Sequence, residues 1–387
     1  MHETLLIKNT SLYHNIADST RYDILITKGK ITCISPACNT NTADSDIDAT
    51  GFIALPGLID IHIHGAGGYD SLDGTKEAFV NISQTLASVG TTSFISTMVV
   101  KPGKMNTHLI AASECTGKNM GGAGLLGIYI EGPFINIEKK GGIMPESITE
   151  PSVAVLRRIF DETGSALKIM CLAPEIPGNQ EIIRRLREKD IIAAFGHSDA
   201  DYDETIKGFK MGISHVTHLY NAMSPLHHRR PGPLAAIFEN DDITVELISD
   251  SHHIHPSLVR MAAKLKGTRN ITGITDGISG LGLPDGLYTY NNRKYLSRDG
   301  LAKYLDGTLI GSTMSLLKIA KNFMDFTDSG IKEAIDTVTI NPARILGIQD
   351  HKGSVETGMD ADIVLIDSSF TVQYTIIDGK TVYRNNN

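Results

Sequence analysis

Between residues 56 and 349 the chain carries eight short apolar segments at intervals, with helical patterns in most of the gaps between them. They are LIDIHIH (58–64), TTSFIST (91–97), LLGIYI (125–130), LKIMCLA (167–173), IIAAFG (191–196), ISHVTH (213–218), TVELIS (244–249) and NITGIT (270–275). Near-continuous apolar strands are covered on both faces, and their alternation with helices points to a parallel sheet. The helical patterns fall at 75–89, 146–162, 179–189, 256–266 and 312–325. Eight such units over this span suit a (β/α)8 barrel of the TIM type. An open doubly wound sheet is the alternative, but no glycine-rich phosphate turn follows the first strand.

The two ends of the chain read differently. TLLIKNTSLY and YDILITKGKITCISP near the start, and ADIVLID and TVQYTIIDGKTVY near the end, are short strands with turn signals at Lys28-Gly29 and Asp378-Gly379. The expected organisation is a small β-sandwich built from residues 1–55 and 350–387, beside a barrel over residues 56–349.

Composition excludes several function classes. Lys and Arg number 36 against 44 Asp and Glu, a net charge of −8, so nucleic acid is not an expected partner. No run is long and apolar enough to span a membrane. Residues 1–15 lack the basic and apolar regions of a signal peptide, and Cys33, Cys38, Cys115 and Cys171 form no CxxC pair. A reducing, cytoplasmic location is the expectation.

Barrel enzymes place their chemistry at the C-terminal ends of the strands. There the sequence puts His62 and His64, Glu131, His197, His218, the group Asp250, His252 and His253, and Asp276, each on a different strand. His62 and His64 stand at i and i+2, so both side chains face the same way, a spacing suited to holding one metal ion. Each residue alone has a structural explanation: a rim histidine satisfied by a hydrogen bond, a carboxylate in an ion pair, an aspartate capping a turn. Their coincidence at the ends of different strands argues for a metal site. Imidazole and carboxylate without thiolate suit Zn²⁺, with Fe²⁺, Mn²⁺ or Co²⁺ as substitutes.

PGLIDIHIHG early in the chain, with NPARILGI and KGSVETGMDADIVLID near its end, resembles the amidohydrolase superfamily. IEGPF, GHS, THLYNAM, RRPGP and TDG narrow the resemblance to its N-acetylglucosamine-6-phosphate deacetylase family. The resemblance runs in order over essentially the whole chain. It implies the β-sandwich made from both termini, a homodimer, and removal of the acetyl group from an amino-sugar phosphate. By position it implies that Glu131, His197 and His218 bind one divalent ion. His62 and His64 would complete a second site, with Glu131 placed to bridge. It makes Asp276 the catalytic acid/base and His253 a substrate contact, and leaves His252 and His255 without a role. Asn221 and Ala222 would offer amide contacts to the phosphate. Arg229 would bind the phosphate, in this family sometimes across the subunit interface, with Arg230 directly beside it.

In one place the chain departs from the family pattern. Relatives carry a polar residue about twelve positions beyond the glutamate, where this chain has Ile143 and Met144. An N-acetylgalactosamine or N-acetylmannosamine 6-phosphate is therefore an alternative substrate. A cyclic amidase or deaminase would share HxH and the strand-eight aspartate, but not THLYNAM with HHRRPG. Many also use a carbamylated lysine, which CLAPE at the end of strand four does not provide. A catalytically silent binding protein would usually lack the acid/base, and Asp276 is present.

Overall fold

All eight apolar segments are strands in the computed structural model, which describes residues 4–16, 18–37, 42–290 and 293–386. The barrel strands run Leu58–Ile63, Thr91–Met98, Gly124–Glu131, Leu167–Leu172, Ile192–Phe195, His215–Val216, Thr244–Leu247 and Ile271–Gly273. Each pairs in parallel with the next. The ring closes just beyond strand eight, where Ile63 bridges Gly277. At this seam the Asp276 N–H donates to the His62 carbonyl at 3.0 Å, and the His64 N–H to the Gly277 carbonyl at 2.7 Å.

Side-chain alternation gives each strand an outer and an inner face. Ile128 and Ile130, Met170 and Leu172, Ala193 and Phe195, and Val245 and Leu247 join the apolar layer under the helices. Tyr129, Cys171 and Ala194 belong to a second apolar cluster, reached by the opposite face of the same strands. Helices Lys76–Ser88, Asn179–Arg187 and Pro256–Lys266 form where their periodicity predicts. Two others start later than expected. The pattern at 146–162 resolves into a short 3-10 turn at Pro145–Ser147 and a helix Val153–Thr163 capped by Ser152. Pro151 explains the break, since the residue before a proline avoids helical angles. The last expected helix begins only at Leu316, capped by Ser315.

The residues just before it form an antiparallel sheet that the sequence reading did not anticipate. Its strands are Gly286–Tyr290, Arg293–Arg298, Leu301–Tyr304 and Leu309–Ser312. It is inserted between barrel strand eight and helix Leu316–Thr327, beside the barrel mouth.

The termini pair as expected. Ile53–Pro56 lies antiparallel to Ile363–Ile366, joining the N-terminal strands to the C-terminal hairpin in one hydrogen-bonded set. Both hairpin turns have positive φ at their two central residues, 50° and 78° at Lys28-Gly29 and 49° and 72° at Asp378-Gly379. This backbone twist matches that of the flanking strands. Ile363 and Leu365 face a core shared with Ile7, Ile24 and Ile26, while Val364 and Ile366 face the barrel's second apolar cluster. Cys33, Cys115 and Cys171 are free thiols, and Cys38 lies outside the described residues. Among the described residues no helix is long and apolar enough to cross a membrane.

Candidate metal centre and active site

The side chains at the barrel mouth converge because the strands end there and the backbone then turns sharply. His197, His218 and Asp276 follow their strands by two or three residues, with φ of 47°, 28° and 45°. Left-handed backbone at a non-glycine residue costs roughly 1–3 kcal/mol and persists where surrounding contacts enforce it. Here they do. The His197 carbonyl accepts from the Asn136 N–H, the His218 N–H donates to Glu246, and the Asp276 backbone bonds to His62 and Ser312. Gly196, the glycine of GHS, is needed for close approach: a Cβ there would lie 2.6 Å from Cys171 Sγ and 2.8 Å from the Thr217 Cβ.

Among the described residues two groups of three each bring their donor atoms together: Glu131, His197 and His218, and His62, His64 and Asp276. In the first, Glu131 Oε1 lies 2.8 Å from His197 Nε2 and 3.1 Å from His218 Nε2, and the two nitrogens are 3.1 Å apart. Tetrahedral ligands at zinc-like bond lengths sit about 3.3 Å from one another, so these donors form a compatible triangular face. In the second, Asp276 Oδ1 is 3.3 Å from His64 Nε2 and 3.7 Å from His62 Nε2. Glu131 lies between the groups, its Oε2 3.6 Å from His64 Nε2 and its Oε1 3.9 Å from His62 Nε2.

The outer nitrogens of two rings are held. Nδ1 of His197 meets the Lys139 carbonyl at 2.8 Å, and Nδ1 of His62 meets Glu246 Oε2 at 2.8 Å. Each contact keeps a proton on Nδ1, so Nε2 is the nitrogen that faces the cleft. His62 Nε2 is buried and has no hydrogen-bond partner among the described residues, as a metal-directed nitrogen requires. The ring of His62 also packs 4.8 Å from that of Tyr129, whose hydroxyl is 2.6 Å from Thr217 Oγ1.

Charge around the centre is biased toward binding a cation. Burial opposes the charged form of His62, but the carboxylates of Glu246, Asp276 and Glu131 outweigh it and raise the ring to about 10. Burial likewise pushes the carboxyls of Glu131 and Asp276 up, and the neighbouring imidazoles hold both below the usual carboxylate range. The donor set, the orphaned nitrogen and the clustered negative charge all fit a divalent ion. One layer deeper, Asp60 is wholly buried and pushed up to about 7 by that burial, and it accepts from Thr275 Oγ1 at 2.6 Å.

The centre opens into a cavity of about 350 Å³. His64, Glu131, His197, His218 and Asp276 line its floor, with Asn221, Ala222 and His253 beside them. His253 is oriented by Asp250, whose Oδ2 accepts from its Nδ1 at 2.6 Å. His252 instead reaches the Asp299 carbonyl, and His255 caps helix Pro256–Lys266 by accepting from the Ser257 N–H. Ile143 and Met144 line the wall, as do Tyr290 and Thr308–Gly311 from the inserted sheet. Arg229 is not brought into the cavity of its own chain. It stands exposed on the turn before Pro231, as does Arg230, with its Nη1 2.8 Å from His228 Nε2.

Several residues here had not been singled out in the sequence. Glu246 had a visible signal, an acidic residue inside an otherwise apolar strand. The inserted-sheet residues had none, because no strand was expected between residues 286 and 312 and nothing placed Tyr290 or Leu309–Gly311 at the barrel mouth.

Residues 53–382 match the model of the amidohydrolase family. The chain is 36% identical to an N-acetylglucosamine-6-phosphate deacetylase of Bacillus subtilis over 389 residues, covering 99% of this chain and 98% of that protein. It is 31% identical to an N-acetylgalactosamine-6-phosphate deacetylase of Escherichia coli O157:H7, covering 93% and 94%. The crystal structure of N-acetylglucosamine-6-phosphate deacetylase from Thermotoga maritima superposes with a TM-score of 0.85 at 33% identity, covering 98% of this chain and all of that one.

Proposed function

The chain belongs to the amidohydrolase family, and from that premise we propose that it hydrolyses the acetamido group of N-acetylglucosamine 6-phosphate to acetate and glucosamine 6-phosphate. The observation that carries the reading is the meeting of two imidazole–carboxylate donor groups around Glu131, with Asp276 beside His64 at the floor of one cavity.

Glu131, His197 and His218 would hold one divalent cation, and His62 and His64, with Glu131 between, a second. Zn²⁺ is the leading candidate for this donor set. A cation held there supplies Lewis acidity, which makes water a usable nucleophile at neutral pH and polarises a carbonyl. Asp276 accepts the proton that the attacking water loses, and returns it to the amine nitrogen as the carbon–nitrogen bond breaks. Its depressed pKa keeps it ionised and ready as a base. His253 has its Nδ1 proton committed to Asp250, which leaves Nε2 as the ring nitrogen that would meet a sugar hydroxyl or the substrate amide. Asn221 and Ala222 would present amides to the phosphate. Arg229, exposed on its own subunit, would reach the phosphate of a partner's site in a homodimer, where its planar donor fork suits a phosphate. The same reading places the chain in the cytoplasm, where its free cysteines stay reduced.

The test is acetate release from N-acetylglucosamine 6-phosphate, before and after chelation. We expect turnover that chelation abolishes and divalent metal restores. Metal-loaded protein that releases no acetate from any N-acetylhexosamine 6-phosphate would refute the reading.

A further inference from the structure

Glu246 sits in barrel strand seven with its side chain fully buried inside the barrel. A carboxylate is costly there unless its lone pairs are met. Oε2 accepts from His62 Nδ1 at 2.8 Å and from the His218 backbone N–H at 2.9 Å, and Oε1 meets His215 Nε2 at 3.1 Å. His215 is fixed in turn by Thr244 Oγ1, 2.7 Å from its Nδ1. One carboxylate oxygen therefore ties a ring from one donor group to the backbone of the other.

We infer that Glu246 is a positioning residue for the His62 metal subsite, an inference that rests on the two-cation reading above. Because a carboxylate only accepts, it keeps a proton on His62 Nδ1 and aims Nε2 into the cleft, where a cation would take its lone pair. Its negative charge makes that lone pair more basic. It touches His218 only through the backbone, so the subsite of Glu131, His197 and His218 keeps its own ligand chemistry without it.

Glu246→Gln separates charge from shape. The amide oxygen can still accept from His62 and His218. The amide nitrogen can donate to His215 Nε2 once that ring moves its proton to Nδ1, facing Thr244. The experiment is calorimetric Zn²⁺ titration of metal-stripped full-length protein, for wild type, His62→Ala and Glu246→Gln. We expect two binding steps in wild type, one of them lost in His62→Ala. In Glu246→Gln that same step should weaken about 10- to 100-fold while the other is nearly unchanged. If both steps in Glu246→Gln stay within about twofold of wild type, or weaken together, the inference fails while the two-cation reading stands. A wild type that binds one cation, indifferent to His62→Ala, overturns both. If Glu246→Gln does not fold, ring-nitrogen NMR of the wild type decides. His62 should keep its proton on Nδ1 and give up the one on Nε2 when Zn²⁺ binds, and a Zn²⁺-loaded ring protonated at Nε2 instead overturns the inference.

Discussion

Asp276 is caught between opposed demands. Burial favours its neutral acid, the two histidines beside it favour the carboxylate, and the histidines prevail. In the proposed reaction Asp276 would be a base that also returns its proton as an acid, and that double role would depend on this balance. Asp276→Asn preserves size and the contact with His64 but cannot take up a proton. We expect kcat to fall by about 10²- to 10⁴-fold with the metal content per chain unchanged. A variant within about threefold of wild type would remove Asp276 from the proton path. Asp250 is decided in the same way outside the two donor groups: burial raises its carboxyl, and the His253 ring with the N–H groups of His252 and His253 brings it below the usual range. A carboxyl with a folded pKa below its unfolded one contributes stability that is present above the unfolded value and lost as pH falls through the folded one. Asp250→Asn should therefore be less stable at pH 7, and its stability should vary less steeply below about pH 4. Denaturant unfolding across this range measures both, and an unchanged slope would show that the pair contributes nothing to acid stability.

At the scale of elements, the barrel strands supply the chemistry and the loops supply the wall. Ile143, from the loop after strand three, and Leu309 and Ile310, from the inserted sheet, give the cavity an apolar side. A polar contact to a sugar hydroxyl can reject an epimer by large factors, whereas apolar contact discriminates by only about 1–3 kcal/mol. We expect the galactosamine or mannosamine compound to be turned over within about a hundredfold of N-acetylglucosamine 6-phosphate, by kcat/KM on one preparation. A preference beyond about 10⁴ would mean that another group, with Thr308 and Tyr290 the candidates on that wall, reads the hydroxyl. Much of this scale was legible beforehand. The eight strands stood out because most are near-continuously apolar and alternate with helical patterns, and His62, His64 and Glu131 because they are polar at the ends of such strands. The inserted sheet was not legible, because one of its faces is solvent-exposed and its strands of four to six residues carry a weak pattern.

The whole molecule raises the question of assembly. Arg229 lies exposed and outside its own cavity, so the proposed phosphate contact needs a second subunit. Mixing Arg229→Ala with Asp276→Asn subunits should then restore activity, because some mixed dimers contain one site with both residues intact. No recovery after demonstrated subunit exchange would place the arginine in its own subunit's site or outside the reaction. The barrel and the terminal sheet share apolar surface through Val364 and Ile366, so the chain ends are bound to the body that carries the site.

By itself the sequence determined the strand and helix alternation, the pairing of the two termini, and the identity of most polar residues at the barrel mouth. These follow from local periodicity and from the cost of placing a charged or imidazole group in an apolar strand. Only the tertiary structure decided which donors meet. His62 and Asp276 are neighbours because the ring closes at Ile63 and Gly277, more than two hundred residues apart. His197 and His218 face Glu131 because their backbones adopt left-handed angles that no residue type there announces. Glu246 gains its partners only when strands one, six and seven share one interior. Distances of this kind are set by closure and packing of the whole barrel, and no local stretch of sequence contains them.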